Sequence, residues 1–247
     1  MAHMRRQINR AENEESHLVL FGPTLVGKGK CVRDIENEFT DQVYTIGIGQ
    51  KVREKLQNNA EFRQSFGALI KSGNLLPKEE VDAIALECYR AGRQSGYKYF
   101  VWDGYGRTED QFLEMISWGV LTPNRSKFVM LAASINTCMA RLAHAKKYNT
   151  RHGRNDDDNL AYRHGKHMEK VPKIISRAKS SGIKIILVDA DRCLEKVSKE
   201  VVGYARQLFA SEAHRQKLPS ESFTPKPPYK SDTDFFHCRG LTNTTRF

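Results

Sequence analysis

Two clusters of residues in this 247-residue chain have the types and spacing to handle phosphate. The first is Gly22-Pro23-Thr24-Leu25-Val26-Gly27-Lys28-Gly29-Lys30, which matches G-x-x-x-x-G-K. Glycines let the backbone turn so that successive N–H groups face phosphate oxygens, a following helix adds its positive end, and Lys28 supplies a point charge. The second cluster is Asp103-Gly104-Tyr105-Gly106-Arg107-Thr108-Glu109-Asp110-Gln111. An acid at its start can hold Mg2+ through water, Arg107 can grip phosphate in a bidentate fork, and Gln111 can hydrogen-bond the edge of a base.

Such residues need a frame that brings them together. Apolar runs at 17–22, 42–46, 97–104, 127–134 and 183–190 are rich in Val, Ile, Tyr and Phe and read as buried strands. The stretches between them are long enough for right-handed crossover helices, and CVRDIENEF directly after the first cluster has a helical pattern. This alternation predicts an α/β fold with a parallel sheet covered on both faces and ligands outside the carboxyl ends of the strands. Both clusters begin where a predicted strand ends.

Composition sets the bounds. At 39% hydrophobic and 28% charged, the chain can bury the core of one large domain or of one domain with small insertions, and wholesale disorder is excluded. No apolar run approaches the roughly 18 residues of a membrane span. The opening 17 residues lack the apolar core of a secretory signal, and Glu12, Glu14 and Glu15 argue against a transit peptide. Residues 1–16 read as a flexible N-terminus or a tag. Residues 211–247, rich in Pro, Ser and Thr and without periodicity, read as an appended tail that Tyr229, Phe235 and Phe236 could staple to the body or to a partner. Five widely spaced cysteines without a C-x-x-C fit a reducing cytosol better than a disulfide framework or a zinc site. His152, His164 and His167 have no recognisable ligand spacing. The net charge of +11 favours anionic partners, and residues 141–179 concentrate it, with 11 Lys and Arg against four acids. That segment is a phosphate-binding lid, a solvated basic helical face or a patch for nucleic acid.

Taken together, the two motifs resemble those of nucleoside monophosphate kinases of the adenylate kinase type, and the resemblance covers roughly residues 17–209. It implies a P-loop kinase-type five-stranded parallel sheet with helices on both faces, in one domain at 17–210. That domain would carry a monophosphate-binding insertion at about 47–76 and a lid at about 143–170. It also implies a cytoplasmic monomer that moves the γ-phosphoryl group of ATP, with Mg2+, to a nucleoside monophosphate, AMP foremost. By the resemblance, Gly22, Gly27, Lys28, Gly29, Lys30 and Arg141 bind ATP, Arg141 by stacking on the donor base. Asp103 serves the metal through water. Gly104, Arg107 and Gln111 take the monophosphate, with Arg53 on its phosphate and Ile48 and Leu76 at its base, from Gly47-Ile48-Gly49-Gln50-Lys51-Val52-Arg53 and Gly73-Asn74-Leu75-Leu76. Arg154, in Arg154-Asn155-Asp156-Asp157, matches the R-x-D-D element of the lid, with Arg151 a competing register, and Arg163 or Lys166 is the later lid cation. Lys28, Arg107, Arg154 and Arg163 are the implied catalytic cations. The zinc-bearing form of the lid is absent, since no cysteine lies in it.

The chain also departs from that pattern. Thr24, Leu25 and Lys30 stand where the loop usually has proline, its middle glycine and a hydroxyl; Gly106 replaces a proline and Ala145 an arginine. A positive φ at Leu25 would strain the loop by roughly 1 kcal/mol or more. Lys30 removes a hydroxyl and adds a cation. Two functions follow: a phosphotransferase with altered loop chemistry, or a noncatalytic relative serving as a basic structural or RNA-associated subunit.

Overall fold

The first strand, β1 (Ser16–Phe21), is buried along its whole length, and its side chains divide by parity: Leu18 and Leu20 join one core, Val19 and Phe21 the other. A strand buried on both faces belongs in the interior of a sheet with helices above and below. The computed structural model, which describes residues 15–148 and 159–210, has that arrangement. β1, β2 (Val43–Gly47), β3 (Tyr99–Asp103), β4 (Ser126–Ala132) and β5 (Ile185–Asp189) form a five-stranded sheet in the order β2-β3-β1-β4-β5, with every pair parallel. All five predicted strands are present, with ends shifted by at most two residues.

Nine helices occur among the described residues: α1 (Lys28–Glu38), α2 (Ile48–Asn58), α3 (Ala60–Lys71), α4 (Lys78–Gln94), α5 (Glu109–Ser117), α6 (Ile135–Lys147), α7 (Leu160–Met168), α8 (Val171–Ser180) and α9 (Leu194–Phe209). Cys31, Val32 and Ile35 of α1 and Val197, Val201 and Leu208 of α9 cover the Leu18 face. Ile84 and Cys88 of α4, Phe112 and Met115 of α5 and Ile174 and Ala178 of α8 cover the Phe21 face. The chain builds β2 and β3 on one side of β1 and then crosses to build β4 and β5 on the other. Loops leaving neighbouring strands therefore diverge at the carboxyl end of β1, which opens a crevice there. Residues 1–14, 149–158 and 211–247 lie outside the described residues, and with them the expected tag, much of the expected lid including Arg151, His152 and Arg154, and the tail. Among the described residues no helix is long and apolar enough to cross a membrane.

The Phe21 face has no slack where α4 meets the sheet. A Cβ placed on Gly92 would stand 2.7 Å from Phe100 Cε1 and 2.7 Å from Tyr44 Cδ1. Overpacking of this kind costs about 1–3 kcal/mol, more than the helix propensity alanine gains over glycine. Gly92→Ala should therefore lower the melting temperature by several degrees in a circular dichroism melt; an unchanged or higher midpoint would show that the helix can shift to make room.

Candidate functional site

The crevice at the carboxyl ends of the strands is a cleft of about 1370 Å³. Its walls come from the loop after β1, the ends of β2 and β3, α2 and α3, and the residues of α6, α7 and the β5–α9 loop that face them. Of the residues singled out in the sequence, Gly27, Lys28, Gly29, Lys30, Ile48, Arg53, Leu76, Asp103, Gly104, Arg107, Gln111, Arg141 and Arg163 all line it. Gly22 lies beneath its floor, where a Cβ would meet Leu131 O at 2.7 Å. Lys166 is ion-paired with Glu169 at 3.0 Å and does not line the cleft, so Arg163 is the lid-helix cation that the fold brings to it.

The loop from Gly22 to Gly27 turns on three positive φ angles: Gly22 at 152°, Leu25 at 66° and Gly27 at 111°. Leu25 is thus a branched residue in the left-handed region, a conformation that costs roughly 1–2 kcal/mol. Its side chain gains contact in return, packing against a small cluster of Cys138, Leu142 and Leu160 that joins α6 to α7. Gly27 caps α1 at φ 111°, a backbone that favours glycine, and a Cβ there would lie 2.4 Å from Leu194 Cδ1 of α9, which would have to turn aside. Lys28, the first residue of α1, is buried and donates to Gly22 O at 2.8 Å and Pro23 O at 2.9 Å. Burial lowers its pKa to about 8; Asp103 opposes that fall, while Arg107 and Arg163 add to it. Lys30 is held by Asp34 at 2.7 Å, and Asp34 also accepts from Ser198 Oγ at 2.6 Å.

The second motif folds around a pair of glycines. Gly104 has φ 90°, and a Cβ on it would come within 2.9 Å of Arg107 Nη2, so glycine leaves the guanidinium its place. Gly106 has φ 75°, which proline, fixed near −65°, is unable to adopt; the backbone here differs from one built on the expected proline. Tyr105 is buried, donates to Asp82 Oδ1 at 2.6 Å and stacks on Trp118, which anchors the loop to the core. Thr108 caps α5 through Gln111 N, and Gln111 Oε1 accepts from Arg107 N at 2.8 Å, so the glutamine both shapes the loop and keeps its amide donors for the cleft. Asp103 Oδ1 is buried with no protein partner. An unpaired carboxylate oxygen beside a phosphate loop fits a hydrated Mg2+, an ion that keeps several waters and takes few protein ligands.

On the far side, Arg141 spends its edge on three carbonyls: Val26 O at 2.7 Å, Ala190 O at 2.7 Å and Arg192 O at 3.0 Å. It thereby ties the phosphate loop to the β5–α9 loop, and stacking would use only the faces of its planar group. The expected acceptor and lid segments touch each other. Tyr162 Oη donates to Asn74 Oδ1 at 3.2 Å, and Gly73 lies against Asn159 and Arg163. Burial, then Lys28 and Arg107, hold His167 down to about 3, which leaves it a neutral wall against Phe21. Sequence reasoning missed Thr45, Arg33, Arg192 and Cys193, which also line the cleft. None lies in a phosphate motif: Arg33 comes in on α1, Thr45 through the strand register, and Arg192 and Cys193 through the β5–α9 loop.

The fold and cleft are those of an α/β P-loop kinase-like protein: an all-parallel sheet, a glycine loop after the central strand, and a charged crevice at the switch point. No protein-family model matches the chain. Part of it is similar to an adenylate kinase of Fervidobacterium nodosum, 30% identical over 95 residues, 38% of this chain and 42% of that protein. A part of like extent is similar to an adenylate kinase of Trichomonas vaginalis, 28% identical over 94 residues, 38% of this chain and 39% of that one. The chain spans about two-fifths of the length of the curated relatives it matches.

With a pKa near 8 in the free protein, Lys28 is charged at neutral pH and loses its proton as the pH rises past that value. Only the protonated form attracts phosphate, so binding above this pH must first take up a proton. Affinity for metal-free ATP should be flat below about pH 7 and fall by up to tenfold per unit above about pH 8. Calorimetric titrations from pH 7 to about pH 10 would check this; a flat profile would mean that Lys28 does not meet the phosphates.

Proposed function

We propose that the chain is a nucleoside monophosphate kinase, transferring the γ-phosphoryl group of MgATP to a monophosphate, AMP foremost, to give two diphosphates. The observation that carries this reading is the convergence of Lys28, Asp103, Arg107 and Arg163 on one cleft, close enough for the other three to shift the titration of Lys28. Three cations and one carboxylate with an unpaired oxygen suit two phosphate chains and a hydrated metal better than any neutral ligand. The partial similarity to two adenylate kinases points the same way.

In this reading the glycine loop and the N-terminus of α1 cradle the donor phosphates, with Gly22, Gly27 and Gly29 permitting the turn. Lys28 leaves the carbonyls of Gly22 and Pro23 for a phosphate oxygen. Lys30, paired with Asp34, steadies the first turn of α1, and Arg141 offers its face to the donor base. Arg107 and Arg53 hold the acceptor phosphate. Gln111, Gly104, Ile48 and Leu76 form the wall for the acceptor base, with 47–76 as the acceptor arm. Arg163 faces the transferring group from the expected lid at 143–170; Arg154, the other lid arginine the resemblance implies, lies outside the described residues. Asp103 would hold a hydrated Mg2+ through its waters, and the ion would supply positive charge against the donor oxygens. Phosphoryl transfer asks for alignment, charge and exclusion of water rather than covalent help, and these residues supply all three. A second reading, a noncatalytic and RNA-associated subunit, draws support from the strained Leu25 and from Lys30 being paired with Asp34 rather than with a phosphate.

The test is a coupled assay of diphosphate formation from ATP, Mg2+ and each of AMP, CMP and UMP. Arg107→Ala should depress kcat/KM for the monophosphate by at least about 100-fold, roughly 3 kcal/mol of charge-assisted grip, with little change in ATP affinity. No turnover with any acceptor would favour the second reading, and an Arg107→Ala protein of normal activity would remove that residue from the site.

A further inference from the structure

Two side-chain oxygens among the described residues are buried without a protein partner, Asp103 Oδ1 and Thr45 Oγ1, and both residues line the same cleft. Leaving either unpaired is costly, so each asks for a physical account. In the β2–β3 register Gly47 is the partner of Asp103 and Thr45 the partner of Val101. Side chains alternate along a strand, so residues 45, 47, 101 and 103 share one face, the one on which Val101 joins the core beneath α1 and α9. Gly47 and Val101 therefore flank the diagonal between the two residues, and Gly47 places no side chain there. A Cβ built on it meets only Gln50, at 3.6 and 3.8 Å, ordinary contact distances. Diagonal neighbours on adjacent strands are about 8 Å apart at Cα, and one water spans about 5.6 Å between two oxygens once their side chains lean inward.

We propose that one ordered water over Gly47 accepts the hydroxyl proton of Thr45 and donates to Asp103 Oδ1, making Thr45 a positioning residue for the carboxylate that serves the metal. The bridge itself stands on the strand register and the two unpaired oxygens. Its consequence for the metal rests on the kinase reading above. Carboxylates that orient a metal's waters are commonly aligned by such outer partners, and losing one weakens metal affinity. Nothing in the phosphate motifs marks position 45, since its place is fixed by pairing across the sheet.

Two measurements separate the halves. In the first, Mg2+ is titrated into the full chain at fixed ATP and followed by thermal shift. Thr45→Val, which keeps shape and removes the hydroxyl, should raise the half-saturating Mg2+ concentration about fivefold and leave metal-free ATP affinity unchanged. Thr45→Ser should behave as wild type. A Thr45→Val protein with unaltered Mg2+ dependence, or Thr45→Ser impaired as much as Thr45→Val, would overturn the positioning role. The second is a crystal structure of the full chain without nucleotide, at a resolution that shows waters. A water within hydrogen-bond reach of both oxygens is expected, and Thr45 Oγ1 paired elsewhere would overturn the bridge whether or not the protein is a kinase. A bridging water in a wild-type protein whose ATP binding ignores Mg2+ would overturn the positioning role together with the kinase reading.

Discussion

Lys28 is 8% exposed, and its ammonium rests on two carbonyl oxygens of the loop that precedes it. A buried cation with neutral partners is expensive, and Arg107 and Arg163 raise the cost by crowding it with like charge. The surrounding structure works to keep these three together. Parallel pairing puts the carboxyl ends of β1 and β3 side by side, with Asp103 the register partner of Leu20, two residues before Gly22. Arg141 laces the loop to the β5–α9 turn, and Leu194 presses on Gly27 from the other side. Asp103 offsets part of that cost, and under the proposed function a phosphate chain would offset more.

Much of this was legible in the sequence, for reasons that are local. The strands are continuous apolar runs because both faces of a parallel sheet are covered, and the loop after β1 must contain glycines because Gly22 and Gly27 hold positive φ in tight quarters. Leu25 stands where the resemblance implies a glycine, and its φ of 66° is the strained value that this substitution implies. What the residues alone left open was relational. Whether Arg163 or Lys166 reaches the cleft depends on which face of α7 is turned inward, and Glu169 claims the other cation. Thr45 enters through register, and Arg192 and Cys193 through the docking of α9, none of which leaves a motif.

The departures from the expected loop have compensations nearby. Leu25 takes a costly backbone and in exchange packs against Cys138, Leu142 and Leu160, so the loop, α6 and α7 share a small core. Lys30 gives up its place as a loop hydroxyl and joins Asp34 and Ser198 in a bridge between α1 and α9. Gly106, free of proline's fixed φ, lets Tyr105 turn inward to Asp82 while Arg107 turns toward the cleft. Each departure, in the loop after β1, in α1 and in the loop after β3, is thus matched by a contact close to it. The Tyr162–Asn74 contact joins α7 to the segment between α3 and α4, which the proposed function would make lid and acceptor arm.

Under the proposed function one cleft accommodates two nucleotides end to end, phosphates meeting over Lys28. Calorimetry with a dinucleoside pentaphosphate, adenosine at both ends, tests it directly. The account predicts one ligand per chain, bound at least about 100-fold more tightly than ATP because the second half adds its own contacts without a second loss of translational freedom. Both ATP and AMP should compete for the site. Binding no tighter than that of ATP alone, or competition by ATP but not by any monophosphate, would contradict a two-nucleotide cleft.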